Sequence, residues 1–395
     1  MTERLYYTDP YLMEFDARVI RVEPYAGRNA AVLDRTAFYP TSGGQPFDTG
    51  RLGTANVVDV VDGGDGVILH VVDGDVAPGP VRGTIDWTRR FDHMQQHTGQ
   101  HLLSAAFDRL LQARTESFHL GLVSSTIDLN RSVSAGEMER AEDEANRIVW
   151  DDRPIGIRFA DAAEAAALPL RKEPARQGIL RLIEVLDFDV SACGGTHVAR
   201  TGAVGAIAIH SAERFRGGTR VEFLCGVRVL RGYRALRDAV AASVRLVSVL
   251  PADLPAGIER LQGEMKDTKR HFKDIQSRLA VFEADALASR AEPYGPVRVV
   301  VAVLEGWDPI GLKEIATAIS ARPGHAAILF SAPPPSAVVI ARAADAPIDS
   351  AGLLKRLIER FGGKGGGRPD LAQGGGLQGL TDDLRSFARE LIALS

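Results

Sequence analysis

The hydrophobic period of this chain changes at about Asp92, and that change limits the fold more than any other feature. Before it, short apolar runs such as Val19 to Val22, Ala30 to Leu33, NVVDVV and GVILHVV alternate with Gly, Asp and Pro clusters. Runs that short, punctuated that often, predict a small β-barrel or sandwich over 1–88. After it, DHMQQHTGQHLLSAAFDRLLQA carries apolar residues at helical spacing behind an aspartate able to cap a helix. A second helix over Ser134 to Trp150, with strands at IGIRF and near RLIEV, predicts an α+β domain over 89–226.

From Val227 the pattern is helical again, broken at Pro251 and Pro255. Ile258, Met265, Phe272 and Leu279 then fall on one heptad position, and Leu261, Thr268, Ile275 and Phe282 on the other. Such a seam makes 227–291 a helical connector, either a coiled coil or a long amphipathic helix packed on its own chain. After Pro296 the runs VRVVVAVL, LKEIATAISA, AAILF, AVVIARA and LLKRLIERF read β-α-β-β-α, giving a C-terminal α/β domain over 292–395. The stretch GGKGGGRPDLAQGGG, Gly362 to Gly376, lies inside that domain and is expected as a functional loop. The fold class is thus multidomain α+β: barrel, α+β domain, helical connector and C-terminal α/β domain.

Composition narrows the partners. Lys+Arg of 47 against Asp+Glu of 51 leaves a net charge of −4, so a nucleic-acid surface has to be a local patch. With Cys193 and Cys225 as the two cysteines, a disulfide framework is excluded and a reducing compartment is expected. The N-terminus has no apolar signal region and no run long enough for a bilayer, so the expectation is a cytoplasmic protein without a membrane partner.

His93, His97 and His101 recur every four residues, which stacks them along one side of a helix. Two imidazoles one turn apart can converge on a metal ion, but they need further ligands. Those are offered by Ser191-Ala-Cys-Gly-Gly-Thr-His197, where Cys193 and His197 bracket a glycine-containing turn. A thiolate with imidazoles favours zinc over magnesium or calcium. His97 and His101 lie deeper in the helix than His93, so the expected set is His97, His101, Cys193 and His197, holding one Zn2+ per chain; the role of His93 stays open. Cys225, in VEFLCG, has no partner pattern and reads as core.

HTGQHLLSA together with CGGTH resembles the editing domain of alanyl-tRNA synthetases and their free-standing relatives, the AlaX proteins, with the threonyl-tRNA synthetase editing domain more distant. FYPTSGGQPFDTG (Phe38 to Gly50) is similar to the Gly-rich motif of that family's preceding barrel. AERFRGGTRVEFLCG resembles the Arg-rich stretch closing the editing domain, and GGKGGGRPDLAQGGG the Gly-rich signature of the synthetase's C-terminal domain, a fold shared with DHH-type phosphoesterases. Only 37 residues precede Phe38, so no room is seen for an aminoacylation domain, and the arrangement is similar to the long form of AlaX.

The resemblance implies a trans-editing hydrolase, one that removes serine, and perhaps glycine, from tRNA for alanine by zinc-assisted ester hydrolysis. Zinc could activate water, hold the substrate, or fill a closed tetrahedron and organise the pocket. Thr41, Ser42, Gly43, Gly44 and Gln45 are the expected substrate contacts, with Gln100 and Thr196 as catalytic candidates beside the ligands. Arg214, Arg216, Arg220, Lys364 and Arg368 are expected on tRNA phosphates. The helical and C-terminal regions are candidates for a homodimer contact. Rival readings are a deacylase of another mischarged tRNA, such as Ser-tRNA for threonine, and a non-catalytic tRNA-binding or synthetase-associated protein with a structural zinc.

Overall fold

The structure, a computed structural model, describes residues 1–171 and 178–394. They form two compact units, Met1–Ala242 and Ser243–Ser395.

In the first unit, β1 (Glu14–Tyr25), β2 (Arg28–Leu33), β3 (Gly50–Leu52), β4 (Ala55–Asp62), β5 (Ile68–Asp73) and β6 (Gly79–Ile85) close a barrel in the order β1-β2-β5-β4-β3-β6. Alternation along the strands turns Phe15, Val19, Leu33, Val57, Ile68 and Val72 into one core. His70 is fully buried on β5, with Nδ1 3.0 Å from Ala31 O and Nε2 2.8 Å from Thr36 Oγ1. Burial lowers its pKa to about 4, against a weaker opposing bond to Ala31 O, so the ring is neutral.

The barrel hands over to α1 (Trp87–Leu111), which Asp86 caps by accepting from Arg89 N (3.2 Å). Every residue of α1 from His93 to Phe107 is buried, polar ones included. That burial follows from its position. Met94, Leu102, Leu103 and Phe107 share a core with the antiparallel sheet of β7 (Thr115–Leu120), β8 (Ser125–Leu129), β12 (Ile207–Phe215) and β13 (Gly218–Cys225), ordered β12-β13-β8-β7, and with α2 (Ala135–Trp150). A smaller sheet joins β9 (Ile155–Ala160), β10 (Leu180–Val185) and β11 (Asp189–Ala192). Gly99 lets α1 lie against the end of β13, since a Cβ there would stand 2.2 Å from Cys225 Sγ. Cys225 is core, and burial pushes its thiol up.

One ion pair fastens α1 to the barrel. Arg90 and Asp48 are both fully buried. Arg90 Nε donates to Asp48 Oδ1 (3.1 Å) and Oδ2 (3.0 Å), Nη1 to Pro10 O (2.8 Å) and Nη2 to Ala37 O. Asp48 Oδ2 also accepts from Tyr39 N (2.7 Å), which ties the FYP segment to the same point.

The boundary between the units falls inside α3 (Val227–Val247). In the second unit, α4 (Leu254–Ser289) is one continuous helix whose expected seam, including Met265, Phe272, Ile275 and Phe282, is exposed. Packing onto its own unit is done instead by Ala280, Ala284 and Ala288. The rest is β14 (Glu292–Tyr294), β15 (Val297–Glu305), α5 (Pro309–Ser320), β16 (His325–Ala332), β17 (Ser336–Arg342), α6 (Ser350–Phe361), β18 (Lys364–Gly367), β19 (Leu371–Leu377) and α7 (Thr381–Ala393). The sheet runs β14-β15-β16-β17-β19-β18, with β15 and β16 parallel across α5. α5 covers one face, and α6 and α7 cover the other.

The Gly-rich stretch corrects an expectation: it is not a loop but the β18–β19 hairpin, pairing Lys364 with Gly375 and Gly367 with Ala372. Missing side chains are what allow the pairing, because a Cβ on Gly365 would lie 2.6 Å from Gln373 O and one on Gly367 2.3 Å from Ala372 Cα. Among the described residues, no single helix is long and apolar enough to cross a membrane.

Candidate metal centre

Two segments distant in sequence meet over the middle of α1. His97 and His101 project from the helix one turn apart, and the turn after β11 brings Cys193 and His197 onto them. One ligand atom from each lies within 4.8 Å of every other, and three of the four residues are buried. Cys193 Sγ is 3.4 Å from His97 Nε2 and 3.3 Å from His197 Nε2. A tetrahedral zinc with ordinary Zn–N and Zn–S lengths would set such pairs about 3.3–3.6 Å apart, so the chemistry of the donor set and these two spacings fit that ion.

Two of the imidazoles have hydrogen-bond partners behind them, and the third faces a carboxylate. Gln45 Oε1 is 2.8 Å from His97 Nδ1 and also accepts from Thr196 N (3.0 Å), while Gln45 Nε2 donates to Thr196 Oγ1 (2.9 Å). An amide oxygen only accepts, so His97 carries its proton on Nδ1 and turns the Nε2 lone pair inward. Thr98 Oγ1 lies 3.2 Å from His197 Nδ1 and accepts from Val198 N (3.2 Å). His101 Nδ1 faces Asp189 Oδ2 at 3.4 Å, a buried carboxylate also bonded by Arg171 Nε (2.9 Å) and Ser191 Oγ (2.9 Å). Orientation of ligands by such partners is what a binding centre requires and a chance cluster lacks.

The electrostatics favour the ligating form at two of the four residues. Burial alone would raise the Cys193 thiol, but the fields of His97 and His197 and hydrogen bonds from His101 and His197 hold it well below its usual value. Burial, opposed mainly by Cys193, takes His197 down to about 3. For His101, burial pulls down but the contact with Asp189 prevails and raises it. The Cys193 thiolate and the neutral His197 ring are already in the ligating form, whereas His101, raised by Asp189, would release a proton on binding a metal.

The remaining expected residues are dispersed. Ser42 to Gln45 form a tight turn, Ser42 N to Gln45 O (3.1 Å) and Gln45 N to Ser42 O (3.0 Å), with Gly43 and Gly44 at φ 53° and 81°. That turn docks on β7: Leu120 N donates to Gly44 O (3.1 Å), and a Cβ on Gly44 would meet the Phe118 ring at 2.7 Å. Thr41 stays exposed, its Oγ1 accepting from Phe47 N (3.2 Å). Gln100 is buried beside the ligands; its Nε2 donates to Ser104 Oγ (2.8 Å), and its Oε1 has no partner among the described residues. His93 is buried outside the cluster, with its pKa lowered to about 4 by burial and then by Arg89.

Arg214 and Arg216 are exposed at the β12–β13 end, whereas Arg220 is bound to Asp128 through Nε (2.7 Å) and Nη2 (3.0 Å) and lies over Phe215. In the second unit Lys364 and Arg368 are exposed, Arg368 within 3.4 Å of Asp370. Sequence reasoning missed Thr98 and Asp189 and gave Gln45 to the substrate. Only Thr98, inside HTGQH, had any signal to find it.

A largely buried cluster of three histidines and one cysteine, able to hold a metal ion, stands where an α+β domain packs on a closed barrel, and the comparisons with known proteins place that pairing among tRNA-synthetase accessory domains. Family descriptions agree: residues 180–222 match the "Threonyl and Alanyl tRNA synthetase second additional domain", and residues 297–394 match the "DHHA1 domain". The alanyl-tRNA editing protein AlaX-L of Pyrococcus horikoshii is 32% identical over 396 residues, covering 95% of this chain and 94% of that protein. Alanine–tRNA ligases of Methanoregula boonei and Pyrococcus abyssi are 35% and 34% identical across 95% and 94% of this chain. The chain spans 42% of the length of each of those ligases. It belongs to the alanyl-tRNA synthetase editing-domain family, of the AlaX type with a synthetase-like C-terminal domain.

Proposed function

We propose that this chain is a trans-editing hydrolase that deacylates mischarged tRNA for alanine, with serine as the amino acid removed and glycine as the second candidate. The observation that carries this reading is the His97–His101–Cys193–His197 cluster, its three histidines buried, with His97 and His197 hydrogen-bonded from behind and His101 facing Asp189. In the reaction a water oxygen bonds to the ester carbonyl carbon, the bond to the ribose oxygen breaks, and that oxygen leaves with a proton. Zinc is the proposed ion, and when bound it supplies Lewis acidity toward an ester group. Gln45 keeps His97 in the ligating tautomer. Thr196 Oγ1 accepts from Gln45, so its own proton is free for a substrate oxygen.

Serine selection is assigned to Gln100. Its buried Oε1 lacks a donor, which a substrate hydroxyl would supply. Alanine would leave that acceptor desolvated and unpaired, a penalty of about 1–3 kcal/mol. Arg214 and Arg216, exposed and cationic, are the proposed phosphate contacts in this unit, and Lys364 and Arg368 those in the other. The test is release of amino acid from Ser-, Gly- and Ala-charged tRNA for alanine by purified protein of known metal content. Serine release with Ala-tRNA spared is the expected result. Stoichiometric zinc without hydrolysis would replace this reading with a tRNA-binding one.

A further inference from the structure

We infer that Arg181 is the positioning residue of the metal centre, the group that shapes the turn presenting Cys193. The inference rests on the four-residue ligand set, not on which ester is cleaved. Arg181 lies on β10 and is 7% exposed. Both main-chain polar groups of Cys193 belong to it: Cys193 N donates to Arg181 O (3.0 Å), and Arg181 Nη1 donates to Cys193 O (2.7 Å). The same Nη1 donates to Gly195 O (2.9 Å), and Nε donates to Tyr7 O (2.8 Å), with the Tyr7 ring 5.5 Å from the guanidinium carbon.

Two carbonyl oxygens two residues apart repel unless a cation gathers them. Gathered on Nη1, they curl the chain so that Gly195 N donates to Cys193 Sγ (3.3 Å). The sulfur so held lies 3.4 Å from His97 Nε2 and 3.3 Å from His197 Nε2. Gly195 completes the arrangement, because a Cβ there would lie 2.1 Å from His97 Cε1. Nη2 has no partner among the described residues. A buried cation with one nitrogen unused is a costly closure for an ordinary loop, and here it stands at the loop that carries the thiolate. A planar guanidinium reaches three carbonyls along two edges, which an ammonium cannot do from one nitrogen.

Arg181→Gln and Arg181→Lys are compared with wild type in the full chain. Zinc affinity is read by competition with a chromophoric chelator, and thiolate ligation by the sulfur-to-metal charge-transfer band of the cobalt(II) form. Far-UV circular dichroism checks folding. The expected result is a zinc affinity about 100-fold weaker for the glutamine variant and about 10-fold weaker for lysine, with a diminished band. Folded variants with wild-type affinity and band would overturn the inference. Should the glutamine variant not fold, the lysine variant decides on the same two readouts. A wild-type protein that binds no zinc removes the inference together with the ligand set, whereas tight zinc without deacylation would count only against the hydrolase reading.

Discussion

Arg90→Ala tests how the barrel and the metal-bearing helix are joined. The substitution deletes a guanidinium that is fully buried against a fully buried Asp48 and that also serves Pro10 O and Ala37 O. What remains is a carboxylate without its counter-ion, still accepting Tyr39 N (2.7 Å). Removing one partner of a buried pair costs about 3–5 kcal/mol. Since roughly 2–4 °C of melting temperature is lost per kcal/mol in a unit of this size, the first unit should melt about 6–20 °C lower. Trp87 packs its ring 5.4 Å from Tyr11 and 5.5 Å from Phe91, so its fluorescence reports this joint, and a Trp150→Phe, Trp307→Phe background leaves it the one tryptophan of the chain. Urea unfolding of Arg90→Ala, Asp48→Ala and the double variant closes a thermodynamic cycle. The double variant should cost about 3 kcal/mol less than the sum of the singles. A loss below about 1 kcal/mol for Arg90→Ala, or additivity within about 0.5 kcal/mol, would refute the argument that this pair holds α1 on the barrel.

Gly195→Ala would place a Cβ 2.1 Å from His97 Cε1, and it should weaken zinc at least about tenfold by chelator competition; unchanged affinity would mean His97 is not held where described. Gln100→Leu should lower kcat/KM for Ser-tRNA about 10- to 100-fold at unchanged zinc content, and undiminished serine release would remove Gln100 from substrate recognition. Neutral His70, with its pKa near 4 against 6.5 when unfolded, contributes stability that is complete above pH 6.5 and lost as pH falls toward 4. That amounts to about 3 kcal/mol. Unfolding midpoints from pH 7.5 to 4.5 should fall accordingly, and less so in His70→Asn; parallel profiles for the two proteins would contradict this.

The four-residue cluster was legible because its spacing is local. Successive histidines four apart advance about 40° around a helix, so two neighbours share a centre while the outer pair differ by about 80°. The cysteine turn fixes which two, and His93 is left outside. Its partners were not legible. Gln45 reaches His97 from the barrel, and Asp189 reaches His101 from β11, and neither distance leaves a trace in residue spacing. Arg181 looked like one more strand residue in RLIEV. Arg220, read as a cation free for phosphate, stands directly across the β8–β13 pair from Asp128, and that register spends its charge. Glycines between Gly362 and Gly376 signal flexibility to a reader of sequence, yet their missing Cβ atoms are what let β18 and β19 pair.

The most direct measurement is kcat/KM for serine release from Ser-tRNA for alanine by zinc-quantified wild type and Cys193→Ala, each compared with Ala-tRNA. The account predicts one zinc per wild-type chain, serine release with Ala-tRNA spared, and joint loss of zinc and hydrolysis in the variant. A Cys193→Ala protein that keeps its zinc and its wild-type rate would contradict it.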